Sequence, residues 1–337
     1  MLRIIDPPTL ATVRGAGFDT LQRFFPRIEK NPKPVRIIDI DEASLKTFGQ
    51  WPWPRTLMAK LIDELNQLGA ASIAFDIIFS EPDRMSPALI LNDPEVRSKL
   101  PADFPRDSLP NNDNIFATAI VGKRVVLAFA GGKDASEPAP QPKAGFALTG
   151  LAALDAVPQL RKATNNLDIL NQAAAGLGNI NIDLRSEQGV LRRIPLLVSD
   201  GKTFSPSLAL EALRIAQGVE TFVVNASPTT ENVIESIRVG DVEIPVADDG
   251  QFPIYYTRNK PELYISAARL ISGNEREALR PLVEGHIVLV GTSAISLQDT
   301  KTSSLGESIP GVSVHAQVLQ QILSGQFLHR SELNSYA

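Results

Sequence analysis

The sequence predicts an α/β domain: a mainly parallel sheet flanked by helices, with a β-rich insertion or second lobe in the middle of the chain. Three observations carry this reading. Short, continuous apolar runs recur at "VRIIDI" (Val35 to Ile40), "SIAFDIIF" (Ser72 to Phe79), "RVVLAFA" (Arg124 to Ala130) and "HIVLVGTS" (His286 to Ser293), as strands buried on both faces require. An amphipathic stretch separates the first two runs, which makes a βαβ unit with parallel strands. Between residues 176 and 260 the texture changes to short alternating stretches punctuated by turn residues.

Each element follows from local chemistry. From Thr9 to Phe25, Leu10, Val13, Leu21 and Phe24 fall near one face of a helix that Gly15 and Gly17 weaken. Asp41 is placed to cap a short helix from Glu42 to Phe48, with Gly49 at its C-terminal end. The next helix starts at Pro54, a favoured first-turn residue. Leu57, Met58, Leu61, Ile62, Leu65 and Leu68 form its apolar stripe, and Gly69 ends it. Asn112 or Asp113 is expected to cap a helix running to Val121. "GGKDASEPAPQPKAG" (Gly131 to Gly145) reads as loop. "GNINIDLRSEQGVLRRIPLLVSDG" reads as a hairpin around Ser186 to Gly189, followed by a helix from Ser207 to Gln217. "IRVGDVEIPVADDGQFPIYY" reads as a meander with turns at Gly240-Asp241 and Asp248 to Gly250. A last helix spans Val312 to Leu323 and closes at Gly325.

Composition removes several classes. The chain has 337 residues, 43% hydrophobic and 21% charged, with a formal net charge of −5. No long basic run is present, which argues against a nucleic-acid partner. The absence of cysteine excludes a disulfide framework, a thiolate metal site and a thiol nucleophile. No stretch approaches ~18 uninterrupted apolar residues, so no transmembrane helix is expected within these residues. "MLRIIDPPTL" has no apolar core of a signal peptide.

Ligands of open parallel sheets bind beyond the carboxyl ends of the strands. The first strand delivers Asp39, Asp41 and Glu42 there. The second contains Asp76 and exits through "SEPDR", which supplies Glu81, Asp83 and Arg84. The last exits through Thr292 towards Asp299 and Lys301, and His315 lies early in the final helix. Asp41, Asp76, Glu81, Asp83, Arg84, Thr292, Asp299 and His315 are therefore ligand-binding candidates. Asp39, Asp41 and Asp76 are the weaker candidates for a hard cation. The same acids read equally well as turn caps, and Asp76 as a partner of Arg55. "VGTS" lacks the spacing of a phosphate-binding loop, and no nucleophile-elbow sequence occurs.

"GQWPWPRTLMAKL" holds both tryptophans. Pro52 and Pro54 bias the chain to extended geometry, so Trp51 and Trp53 are expected on one side, as a lid over the sheet end or a platform for a ligand. Arg55 is a further ligand-binding candidate, either facing a pocket or tied to Asp76, Glu81 or Asp83, all within its expected reach.

Two resemblances bear on function. "IIDIDEAS" resembles the strand-end DxDx[TV] motif of haloacid-dehalogenase phosphatases, but Ala43 stands at the Thr or Val position and no Asp-Asp pair follows a later buried strand. More of the chain resembles the CHASE2 family of bacterial extracytoplasmic sensor domains. The resemblance lies in "RIIDIDEASLKTFGQWPWPRTLMAKLIDEL", "GAASIAFDIIFSEPDR", "VLVGTSAISLQDTKTSSLG", "IPGVSVHAQVLQQILSG" and, more loosely, "GLGNINIDLRSEQGVLRRIPLLVSDGKTFSPSLALEAL". These stretches span Val35 to Leu328.

That resemblance implies a receptor, with one membrane helix before the domain, several after it and a cytoplasmic output module. "IDIDEASLKTFGQWPWPRT" favours an adenylate or guanylate cyclase output over a kinase or diguanylate cyclase. Residues 1–34 would be a juxtamembrane helical segment, 35–330 the sensor domain and 331–337 a tail towards the next membrane helix. The layout implies a periplasmic domain, a homodimer in the full-length receptor, and ends that leave on one side. It also implies an unidentified small-molecule or environmental ligand, no cofactor and no catalytic residues. A DxD-type metal-dependent hydrolase and a purely structural dimerisation module are the alternatives.

Overall fold

The structure, a computed structural model, describes residues 8–29, 33–91, 93–99, 101, 109–132, 135–151, 153–182, 189–247, 250–294 and 300–328. Six parallel strands form the central sheet: β1 (Val35–Ile40), β2 (Ser72–Phe75), β3 (Val125–Phe129), β4 (Gly176–Asn179), β5 (Tyr264–Ser266) and β6 (Ile287–Thr292). Their spatial order is β5-β1-β6-β2-β3-β4. β6 comes last in the chain yet lies between the first two strands. Val35 pairs with Ile287 and Ile40 with Thr292, while Ser72 to Phe75 run beside Ile287 to Val290 on its other edge.

The apolar runs are continuous because both faces are covered. Along β1, Val35 and Ile37 join one buried cluster, and Ile38 and Ile40 join the other. Helices Leu208–Gln217 and Gly311–Ser324 cover the first face. Arg55–Gln67, Asn112–Ile120, Asp168–Ala173, Ala267–Ser272 and Arg276–Val283 cover the second.

Several elements differ from the sequence reading. β2 stops at Phe75, where Asp76 N–H makes a last ladder bond to the Val290 carbonyl at 2.8 Å. The apolar run continues because Phe79 turns inward against Phe116, with ring centroids 5.0 Å apart. β1 and β2 are parallel but not neighbours, since the crossover leaves room for β6. Gly176–Asn179 is no hairpin arm; it pairs in parallel with β3 and edges the main sheet. Val190–Leu191 pairs in parallel with Thr300–Ser303, and the turn expected at Ser186 falls outside the described residues. β5 carries no strong apolar run and escaped the sequence reading.

A second sheet has the order Val242–Pro245, Ile234–Val239, Thr221–Ala226, Gly145–Thr149. The reversal at Gly240-Asp241 matches the expected turn. Gln251–Pro253 leaves this sheet to pair with Arg193–Pro195, and Asp248 and Asp249 lie outside the described residues. Asn111, not Asn112 or Asp113, caps Asn112–Ile120: its side chain accepts from Asp113 N and Asn114 N. Asn112 and Asp113 are thereby turned inward.

The extended segment 253–257 joins the first and last helices. Gln321 Oε1 accepts from Tyr255 N at 2.8 Å, and Gln317 Oε1 accepts from Thr257 N at 3.0 Å. From the opposite side, Gln22 Nε2 donates to the Ile254 carbonyl and Gln22 Oε1 accepts from Tyr256 N. Arg27 donates to the Tyr255 carbonyl and to Gln317 Oε1. The segments leaving these helices lie together, with Gln326 Nε2 donating to the Ile28 carbonyl at 3.4 Å. The start of Pro8–Phe24 is a helix length away, about 25 Å.

Close approach explains the glycines of β4. A Cβ on Gly178 would sit 2.5 Å from Leu208 Cα, which is backbone and cannot swing aside. Gly178→Ala should therefore destabilise the domain by roughly 1–3 kcal/mol, the usual range for overpacking. Urea denaturation checks this; an unchanged midpoint would show that the helix can move off the strand.

Candidate functional site

At the carboxyl end of the sheet, the candidate residues separate into three groups. The first surrounds β1. Asp41 caps Glu42–Phe48 by accepting from Ser44 N at 2.8 Å, as its position predicts, and it also accepts from Ser266 Oγ at 2.9 Å. Asp39 accepts from Ser293 N at 2.9 Å and from Ser293 Oγ at 2.5 Å. Burial raises the Asp39 pKa, against the two Ser293 bonds. Thr292 Oγ1 donates to the Ile40 carbonyl and accepts from Ala294 N. Both Asp39 oxygens and the Asp41 cap are thus spent on tying β1 to β5 and β6. No group of three or more metal-ligating side chains forms among the described residues.

The second group is the tryptophan lid. Trp53 is buried, its Nε1 donates to the Gly49 carbonyl at 2.9 Å, and its indole packs edge-on against Phe48 and Trp51. Trp51 is half-buried above it. The indoles do share one side, with centroids 5.6 Å apart. Two residues after Trp53, Arg55 holds its guanidinium 4.5 Å from the Phe79 ring centroid.

The charge partner of Arg55 is a residue the sequence reading did not consider. Arg55 Nε and Asp113 Oδ1 face each other at 3.4 Å, an ion-pair separation without hydrogen-bond geometry. Arg55 Nη2 donates to the Glu81 backbone carbonyl at 3.0 Å, and Arg55 N donates to Asp83 Oδ2 at 2.7 Å. Asp83 also accepts from Asn112 Nδ2 and Met85 N, while its own N–H donates to Asp113 Oδ2. Burial lowers the Arg55 pKa, opposed by Asp113 and Asp83. The Glu81 and Arg84 side chains are exposed. Inward rotation of Asp113, visible only once Asn111 takes the cap, is what completes this network.

The third group lines a cavity of about 290 Å³, made by Asp76, Ala130, Ile180, Asn181, Ile182, Lys301, Gly311 and His315. Asp76, Ala130 and Ile180 directly follow β2, β3 and β4. Gly311 opens the 14-residue last helix, whose first turn has no side-chain cap. Asn181 shapes the wall by pairing with the backbone of Gly131 through both side-chain atoms. Asp76 and Lys301 each hold further polar contacts. His315 is 1% exposed, and its Nδ1 has no hydrogen-bond partner among the described residues. Burial lowers its pKa from 6.5 to about 4, so the ring is neutral near pH 7. Asp76 is therefore grouped with His315 and not with Arg55, and Asp299 falls outside the described residues.

The fold and this end of the sheet define an α/β domain whose β1 acids are committed to structure, beside a cavity that Asp76, Lys301 and His315 line. The family model for the CHASE2 domain matches residues 2–335. The chain belongs to the CHASE2 domain family, a family of extracellular or periplasmic sensor domains. No curated protein and no solved structure matches the chain.

Two outcomes follow from this geometry. Arg55→Ala leaves the backbone bond to Asp83 in place but takes the guanidinium from buried Asp113, and should cost roughly 3–5 kcal/mol in thermal or urea unfolding; a loss below about 1 kcal/mol would mean that the ion pair contributes no more than an exposed one. His315 stays neutral when folded down to about pH 4, whereas the unfolded imidazole takes up its proton near 6.5. Its stabilising contribution is therefore complete above the unfolded value and lost as pH falls to the folded one, by about 3 kcal/mol. The stability gap between wild type and His315→Gln should shrink over that window, and a pH-independent gap would contradict the assignment.

Proposed function

We propose that this chain is the signal-input domain of a bacterial inner-membrane receptor, that it lies on the periplasmic side, and that the cavity beyond β2–β4 takes its small ligand. The observation that carries the reading is the cavity itself. A carboxylate, an ammonium group and a buried imidazole with an unpartnered nitrogen meet there under an uncapped helix start. Its volume is at the lower end of ligand pockets, which suits a metabolite of modest size with hydrogen-bonding groups of both kinds.

The output we propose is a cytoplasmic adenylate or guanylate cyclase, supported by the similarity of "IDIDEASLKTFGQWPWPRT" to receptors of that kind. The acids of β1 support the sensor reading over a DxD-type hydrolase. A nucleophilic Asp39 would need an oxygen open to substrate, and both of its oxygens accept from Ser293.

A thermal-shift screen of small polar metabolites tests the site. A ligand at 100 times its Kd should stabilise the wild type by about 2.7 kcal/mol, and Asp76→Asn and Lys301→Met should each remove most of that gain. Binding that survives both substitutions would move the site elsewhere, and a screen with no ligand would favour a structural module. In the full-length receptor, the same ligand should change cyclase turnover, and the change should be absent in Lys301→Met.

A further inference from the structure

We infer that the outer face of the first helix is the contact surface for a second copy of this chain. The helix Pro8–Phe24 is amphipathic in the opposite sense to an ordinary surface helix. At about 100° per residue, Asp19 and Gln22 fall on one side, and Val13, Ala16, Gly17, Thr20, Leu21 and Phe24 on the other. The polar side is the buried one. Asp19 is 5% exposed and receives a bidentate pair from Arg192, with Nε–Oδ1 2.9 Å and Nη2–Oδ2 2.8 Å. Gln22 is 3% exposed and bonds the backbone of Ile254 and Tyr256. These bonds fix the rotation of the helix, because turning the apolar side inward would strand a buried ion pair.

The apolar side is left facing outward. Val13 is 67% exposed, Leu21 62% and Phe24 75%, and the stripe continues past the helix through Phe25 (69%) and Ile28 (71%). At these exposures the two phenylalanines alone leave roughly 200–350 Å² uncovered, and the stripe as a whole on the order of 500 Å². Two such faces bury about 1,000 Å² together, the size at which specific interfaces begin.

The shape of the stripe favours its own copy. Large side chains stand at its ends, and Ala16, Gly17 and Thr20 form a low centre, with nothing within 4 Å of a Cβ built on Gly17. Two copies crossing at that centre bring their backbones close, while Val13 and Phe24 pack to either side. Charge argues the same way. An interfacial membrane helix presents a broad solvated face rich in Lys and Arg, whereas here the Asp19 and Gln22 side is buried and the basic residues between 12 and 24 are two, Arg14 and Arg23, both exposed, the latter lying back over Gly306.

The chain contains no cysteine, so single-cysteine variants of the whole chain give a clean readout. Thr20→Cys should form a disulfide-linked dimer under mild oxidation, whereas Lys46→Cys, exposed on the helix after β1, should not. Sedimentation equilibrium should show the wild type dimerising at micromolar concentration. Phe24→Asp should be monomeric over the same range and keep the wild-type melting temperature at concentrations where both are monomers. A wild type that stays monomeric, equal cross-linking of both cysteine variants, or dimers that survive Phe24→Asp would overturn the proposal. Monomers that co-sediment with phosphatidylglycerol vesicles, and lose this with Phe24→Asp, would assign the face to lipid and likewise overturn it.

Discussion

Everything in this domain depends on β6 occupying the middle of the sheet. Its backbone supplies the inner partners of both β1 and β2, yet about 210 residues separate it from β2 in the chain. Until Ile287–Thr292 docks, β1 and β2 present unpaired ladder groups to each other, and neither face can be packed to completion. The chain must therefore close its longest loop to complete its central hydrogen bonding. The entropic cost of closing such a loop grows only slowly with length. What the arrangement adds is unity: the strands before and after the second sheet belong to one cooperative core.

That closure also organises the carboxyl end. Gly291 sits in β6 because a Cβ there would meet Val312 at 2.6 Å, so the last helix lies close over the central strand. The same approach carries Gly311 and His315 to the end of the sheet, opposite Asp76. Around β1 the acids are closed off by serine hydroxyls and backbone amides, and at the start of Arg55–Gln67 Asp113 is paired with Arg55. Beyond β2–β4 the packing leaves the cavity lined by Asp76, Lys301 and His315. The division follows from geometry: Ser44 and Ser293, just beyond β1 and β6, donate to Asp41 and Asp39 at the end of β1, while the walls of the cavity come from segments far apart in the chain.

The last helix has two working faces. Near its start, His315 lines the cavity, and two residues later Gln317 bonds both Thr257 and Arg27. One rigid element thus spans the distance from the cavity to the segment that anchors the first helix. A sensor needs such a connection, since occupancy of a site can reach a distant surface only through elements that move together.

Much of this was legible in the sequence where the physics is local. The buried strands, the stripe of Arg55–Gln67 and the Asp41 cap depend on periodicity and on side chains within one turn of their partners. The family resemblance, carried by the same stretches, specified the sensor class. Other features were decided only by tertiary structure. Nothing near Arg55 in the chain selects Asp113 over Asp76, since either carboxylate satisfies the same chemistry and only the packing of Asn112–Ile120 on Arg55–Gln67 brings one of them close. β5 was invisible because its three residues gain their burial from neighbours. The first helix reads as an ordinary amphipathic segment until Arg192, some 170 residues on, captures Asp19 and turns its apolar face outward. Sequence patterns record which residues prefer to be buried, but which distant segments meet, and so which preference is overruled, is set by the assembled fold.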